Sequence, residues 1–396
     1  YDGLLDPLGS SQILPYLYGI AQHPRSIHII SFEKPARLLE GEAILRLKLA
    51  ELGIKWTPLS FTQGYGAAGK VWDLTRMYFW GARIALFERL GLVHARGHAA
   101  AQVGLFLKQR FGLKLIFDFR GLWVDERVDK GGWDLNKLTH RWQYRYYKFI
   151  EHSLLRKADQ IVVLTAAVVD EVVKLGAALE KITVIPCCAD FDHFILADSL
   201  TRESARIELC LPQNAIVLGY LGSVGRMYMS DRFFRLVELA AVNNSKVYVL
   251  ALTPDVKRFN VEMQKYLSAK LHKDVKLLSV SRADVSRLLP AIDLLISFIQ
   301  PSYARIASSP TKLAESFAAG IPAICNFGVG DVTTIIAELD AGLVIDAGSD
   351  NALIEVSARL LEIIAKGGVR LRLAARGMLG LEVANLRYRS VYEKLE

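Results

Sequence analysis

The sequence predicts an α/β protein made of two doubly wound domains. Three observations lead there. Short apolar runs alternate with longer amphipathic stretches, as when strands are buried on both faces between helices. The alternation occurs twice, on either side of a stretch with weak periodicity. The 396 residues, 52% of them hydrophobic, suit two domains at about 100–200 residues each.

In the first half, strands are expected at Ile27–Ser31, Leu92–Ala95, Leu113–Phe117, Gln160–Leu164 and Thr183–Pro186. Helices are expected at Gln12–Ala21, Leu38–Leu52, Asp73–Leu90, Ala99–Phe111, Leu135–Lys157 and Ala166–Leu175. Residues 1–186 thus form one unit, and 187–200 read as a linker. In the second half, strands are expected at Ile216–Leu221, Lys246–Leu250, Val275–Ser279, Ile292–Phe298, Ile321–Cys325 and Leu343–Ile345, with helices between them and mostly helix from Leu353 onward. The chain opens abruptly at Tyr1-Asp2-Gly3 with no strand ahead of it, so a short upstream segment is expected.

No apolar run approaches the roughly 20 residues that cross a bilayer, and no signal peptide is visible. Cys187, Cys188, Cys210 and Cys325 have no metal-site spacing and read as reduced thiols, which suits the cytoplasm. The net charge of +8 suits anionic partners: nucleotide phosphates, anionic lipid or nucleic acid.

The most informative stretch is Ser309–Asn326. Ser309 reads as a helix cap, Pro310 as its first turn and Gly320 as its end, before a short apolar strand. With the strand at 292–298 this makes a parallel crossover unit. The loop before the helix lies at a strand's carboxyl end, where free amides and the helix dipole favour phosphate. Lys312 adds a cation there, and Glu315 is placed to accept hydrogen bonds from a sugar hydroxyl. Gly222-Ser223-Val224-Gly225-Arg226 follows another strand; it lacks the G-x-G-x-x-G fingerprint, so a nicotinamide site is poorly supported. On the glycines alone a plain turn is the better reading, and Arg226, which can chelate a diphosphate, tips the balance toward a phosphate site. Gly9 and Ser10 open a helix and offer either amides to an anion or an ordinary cap.

Phe117–Arg127 gathers Asp118, Arg120 and Glu126 beside aromatics at a strand end, either a site or a buried ion-pair network. Arg96 and His98 follow another strand. Asp190-Phe191-Asp192 mimics a metal-holding Asp-x-Asp motif but falls in the linker, where a hinge cap is the better reading. Arg141–Phe149 interleaves bases with aromatics, as does the stretch Arg76–Leu90. Such stripes suit nucleic acid, anionic lipid, or a helix with one packed and one solvated face.

Asp2–Leu17, Phe117–Trp123, Val184–Asp190, Ser309–Asn326 and Gly328-Val329-Gly330-Asp331 resemble, in order, a bacterial and archaeal subgroup of glycosyltransferase family 4. The resemblance implies a GT-B fold: two Rossmann-like domains facing a cleft, an N-terminal acceptor domain and a C-terminal nucleotide-sugar domain over 201–380. Residues 381–396 would cross back to the N-domain. It also implies metal-independent transfer with retention and no cofactor, the nucleotide-sugar being a substrate. Glu315 matches the second Glu of the family's E-x7-E motif, which holds the ribose. The first would fall at Ala307, a departure that bears on recognition of the donor sugar. Ser308, Ser309, Thr311 and Lys312 fall where diphosphate contacts are expected, and Arg120 stands about where many members carry a His.

The expected catalytic residues are thus Arg120, Lys312 and Arg226. Donor contacts are expected from Gly9, Ser10, Gly222, Ser223, Ser309, Pro310, Thr311 and Glu315. Acceptor contacts are expected from Asp118, Glu126, Arg96 and His98. The acceptor expected is a glycan or polyprenyl-linked sugar, with no nucleic acid; the setting is the cytoplasm, including the inner face of the membrane. Three other readings stay open: a nucleotide-sugar epimerase, a sugar-nucleotide sensor without catalysis, and a nucleic-acid-binding protein.

Overall fold

The computed structural model describes residues 3–21, 26–244 and 246–396. They form two compact units, one of Tyr1–Pro186 with Leu381–Glu396 and one of Cys187–Gly380.

The first unit opens with two short helices, α1 (Pro7–Gln12) and α2 (Leu14–Ala21), then β1 (Ile27–Glu33), α3 (Pro35–Glu51) and β2 (Ile54–Ser60). β1 and β2 pair in parallel along their whole length, from Ile27 opposite Ile54 to Glu33 opposite Ser60. β2 has no counterpart among the expected strands. Next come α4 (Gly66–Phe87), β3 (Leu92–Arg96), α5 (His98–Phe111) and β4 (Lys114–Asp118). α6 (Trp123–Asp129), α7 (Leu138–Lys157), β5 (Gln160–Val163), α8 (Val169–Lys174) and β6 (Ile182–Val184) complete this part. β3-β4-β5-β6 is a parallel sheet in chain order. α6 is an element the periodicity does not reveal, because Asp125 and Glu126 in its first turn favour the helix dipole without making an apolar stripe. β4 runs one residue further than expected and carries Asp118 as its last residue.

The second unit begins with irregular backbone, from which Phe191 and Phe194 enter the core. α9 (Ser199–Glu208) follows, held by a capping box between Asp198 and Thr201. β7 (Ile216–Leu221), α10 (Ser230–Asn243), β8 (Val247–Leu252), α11 (Val256–Tyr266), β9 (Val275–Leu278), α12 (Arg282–Leu288) and β10 (Leu294–Ser297) come next. Then come α13 (Thr311–Ala318), β11 (Ala323–Asn326), α14 (Val332–Leu339), β12 (Gly342–Ile345), α15 (Asp350–Ala358), α16 (Leu360–Ile364) and α17 (Val369–Leu379). The six strands are parallel in the order β12-β11-β10-β7-β8-β9. Side chains alternate across this sheet. Val217 and Leu221 of β7 enter one core with Leu313 and Phe317, and Leu218 and Tyr220 enter the other with Phe234 and Phe259.

The last helix, α18 (Leu381–Glu393), belongs to the first unit. Tyr388 stacks edge-on against Tyr16 at 5.8 Å, and Tyr392 bonds His94 through its hydroxyl at 2.7 Å.

Candidate functional site

In the second unit, β7 ends at Leu221 and the chain turns through Gly222, whose φ of +92° only glycine adopts without strain. Three bonds fix the turn. The Gly222 amide donates to the Leu252 carbonyl at 3.0 Å, and the Tyr220 hydroxyl donates to the Ser223 carbonyl at 2.8 Å. The Val224 amide donates to the Asp255 carboxylate at 2.9 Å. Ser223 and Arg226 stay exposed on this loop.

Lys312, the second residue of α13, reaches the same turn. A β-carbon placed on Gly222 would sit 3.9 Å from its Nζ. The ammonium lies 4.4 Å from the Tyr228 ring centre and 5.7 Å from that of Tyr220. Among the described residues no carboxylate comes within ion-pair distance of it. Burial pulls its pKa down to about 8, against the opposing pull of Cys325 and Glu315. Glu315 lies one turn along. Burial pushes its carboxyl up to about 7, with Arg282 and Lys312 drawing it back. Cys325, beneath them on β11, is pushed by burial up to about 12 and is an inert thiol.

The start of α13 differs from the expected capped turn. The helix begins at Thr311 with Pro310 as its cap residue and no side-chain cap. The Ser309 hydroxyl instead accepts from the Cys187 amide at 3.0 Å, and Ser308 accepts from the guanidinium of Arg305 at 3.2 Å. Ser309 therefore ties down the start of this unit, while the first-turn amides of Thr311 and Lys312 have no partner within the helix. Ala307 is 2% exposed, on a short turn at Tyr303–Ala307. Two contributors escaped the sequence reading. Tyr228 faces Lys312, and buried Arg305 anchors the 328–331 segment by accepting the Gly330 amide on its carbonyl at 2.9 Å. Tyr228, two residues beyond Arg226, was the available signal.

In the first unit, Asp118 is buried and already engaged. Arg96 lies 3.4 Å away, Arg120 3.5 Å and His94 3.7 Å, and the Tyr388 hydroxyl donates to it at 3.2 Å. Burial would raise its pKa, but Arg120, His94 and Arg96 outweigh that and hold the carboxyl well below the usual range. Asp118 is thus the counter-ion that orients Arg96 and Arg120, which stay partly exposed, and not a group open to an acceptor. His98 starts α5 and bonds Glu151 at 2.8 Å through Nε2. Lys148 bridges Glu151 at 2.6 Å and Asp125 at 2.8 Å. Glu126 pairs with Lys130 at 2.8 Å along the surface of α6, apart from the Asp118 contacts.

Gly9 and Ser10 depart from the expected anion cradle. A β-carbon on Gly9 would strike the backbone of Gly3 and Leu4, so the absence of a side chain there serves packing. The Ser10 hydroxyl donates to the Pro7 carbonyl at 3.0 Å. Asp6 sits at the helix start, ion-paired with Lys34 and Arg37, and a second anion would meet its charge. In Asp190-Phe191-Asp192, Asp190 accepts the backbone amides of Asp192 and His193, and Asp192 pairs with Arg376 at 2.8 Å.

The comparisons agree with this architecture. Residues 40–188 match the family described as "Glycosyl transferase 4-like domain". Among solved structures, HepE of Anabaena in complex with UDP and glucose aligns with a TM-score of 0.69 and 16% identity, over 96% of this chain and 95% of that one. Sucrose-phosphate synthase from Thermosynechococcus elongatus aligns at 0.65 and 17%, over 96% and 97%. WaaG, a glycosyltransferase involved in lipopolysaccharide biosynthesis, aligns at 0.65 and 18%, over 98% and 96%. At these identities the likeness establishes the fold, which is GT-B. No curated protein matches the chain by sequence.

Proposed function

We propose that this chain, whose residues 40–188 match a glycosyl transferase 4-like domain and whose fold is GT-B, transfers a sugar from a nucleotide-sugar to a glycan or lipid-linked acceptor, with retention and without a metal. One observation carries this reading: the desolvated ammonium of Lys312, facing the Gly222 turn at the start of α13 with no carboxylate at ion-pair distance among the described residues. A group so placed gains most from an anion, and a diphosphate fits the turn and the helix start together.

In this reading Lys312, Arg226 and the amides of Thr311, Gly222 and Ser223 hold the diphosphate, with Ser309 and Pro310 shaping the loop. Glu315 bonds the ribose. Its pKa of about 7 lets it accept from a hydroxyl when ionised and donate when protonated. The acceptor oxygen attacks the anomeric carbon on the face that the diphosphate leaves. The anomeric C–O bond breaks, and a departing phosphate oxygen takes the acceptor's proton. Negative charge grows on the leaving group, so fixed cations there stabilise the transition state more than the ground state. Arg96 and Arg120, oriented by Asp118, together with His98, bind the acceptor.

HepE has been crystallised with UDP-glucose, so UDP and UDP-glucose are the first ligands to test. A rise in melting temperature that grows with UDP concentration is expected for the native chain, and its loss in Lys312→Ala. An unchanged melting temperature across uridine, guanosine and adenosine diphosphates refutes the reading. So does a full response in the folded variant.

A further inference from the structure

We propose that the outer faces of α4 and α7 form a surface that docks the chain onto an anionic lipid bilayer. On α4, Trp72, Phe79 and Leu86 stand 58%, 62% and 64% exposed; on α7, Trp142, Tyr146 and Phe149 stand 70%, 59% and 67% exposed. Their spacings of three, four and seven place each set along one helical stripe. The two stripes adjoin across α5. Tyr78 of α4 packs edge-on against Phe106 of α5 at 5.2 Å, and His98 of α5 bonds Glu151 of α7 at 2.8 Å.

Charge selects the partner. Arg83 on the stripe of α4 and Arg141 and Arg145 beside that of α7 are exposed. The acids of these two helices, Asp73 and Glu151, are both buried. Asp73 accepts from Thr62, and Glu151 is held by His98 and Lys148. The outward faces therefore present aromatic rings and cations with no acid among them. That composition suits a headgroup layer, where amphipathic rings settle and cations meet anionic phosphates. A second copy packing face to face would oppose like charges. No helix among the described residues is long and apolar enough to cross a membrane, so the attachment lies in the interface plane. This docking rests on the surface alone and not on the donor chemistry.

The test is flotation of the full chain with phosphatidylcholine vesicles, with and without phosphatidylglycerol. Co-flotation is expected only with the anionic vesicles, and is expected to weaken in high salt. Arg83→Glu with Arg145→Glu should lower the bound fraction at least about tenfold. Phe79→Ser with Trp142→Ser should lower it comparably, and both variants should melt as the native chain does. The proposal is overturned if the native chain ignores anionic vesicles or if folded variants float as well as it does. Retention on a single-stranded oligonucleotide in place of vesicles overturns it, as does a solution dimer that both variants abolish. A chain that responds to UDP but not to vesicles loses only this surface; one that floats without responding to UDP loses only the donor site.

Discussion

Replacing Lys312 by Met tests the energetic cost of the proposed donor site directly. The ammonium's pKa falls from an ordinary 10.5 to about 8 on folding. That gap corresponds to about 3 kcal/mol spent on holding the charge out of water. The faces of Tyr228 and Tyr220 touch the ammonium, and that contact is part of the net balance. Met keeps most of the stem and drops the charge, so the ligand-free variant should be more stable by about 3 kcal/mol near neutral pH. The pH dependence has a definite sign. A lysine depressed on folding leaves the unfolded chain holding more protons between about pH 8 and 10.5, so native stability rises with pH there. The variant's advantage should be complete below about pH 8 and vanish by about 10.5. Urea melts across that range, with and without UDP, read both effects. The reasoning fails if the variant is the less stable protein near neutral pH, or if its advantage does not change with pH.

Two other outcomes are expected. Glu315→Gln should gain stability over the native chain as pH climbs from about 4.5 to 7, because the unfolded chain releases this proton near 4.5 while the folded carboxyl keeps it until about 7; a flat difference in urea midpoints would contradict this. Arg206 is 2% exposed and bonds Asp293 at 2.6 Å and the carbonyls of Ala291, Gln213 and Ala215. Arg206→Met should cost about 2–3 kcal/mol, since it leaves three carbonyls without their donor and removes one of the two guanidiniums on Asp293, which keeps Arg202 at 3.1 Å and the Val217 amide at 2.8 Å; a loss below about 1 kcal/mol in the same melts would show that those remaining partners suffice.

The second unit's sheet was largely legible because its strands are buried on both faces and read as unbroken apolar runs, as in Ile216–Leu221 and Leu294–Ser297. β2 was not. Pro58 lies inside it and argues against a strand, yet β2 pairs only with β1 among the described residues, and an edge tolerates a missing donor. Its alternation of buried Ile54 and Trp56 with exposed Lys55 was the signal passed over. The Ser309 cap failed because a residue far away in sequence competed: the Cys187 amide took the hydroxyl. Asp118 shows the same limit. Its residue type at a strand end suggested a site, but the hydroxyl that occupies it comes from Tyr388, 270 positions along the chain. Local pattern reveals which segments are buried, whereas the pairing of polar groups depends on contacts that only the folded chain brings together.

The unit that contains α18 is discontinuous: its pieces flank the whole of Cys187–Gly380. A ribosome therefore finishes the contiguous unit first, although it starts the other one earlier. Until the final residues emerge, the nascent amino-terminal unit lacks the tyrosines that cover Asp118, His94 and Tyr16, and the guanidiniums of Arg96 and Arg120 have no finished seat. A premature stop between Gly380 and Tyr388 would release a chain whose second unit is whole and whose first unit is unfinished.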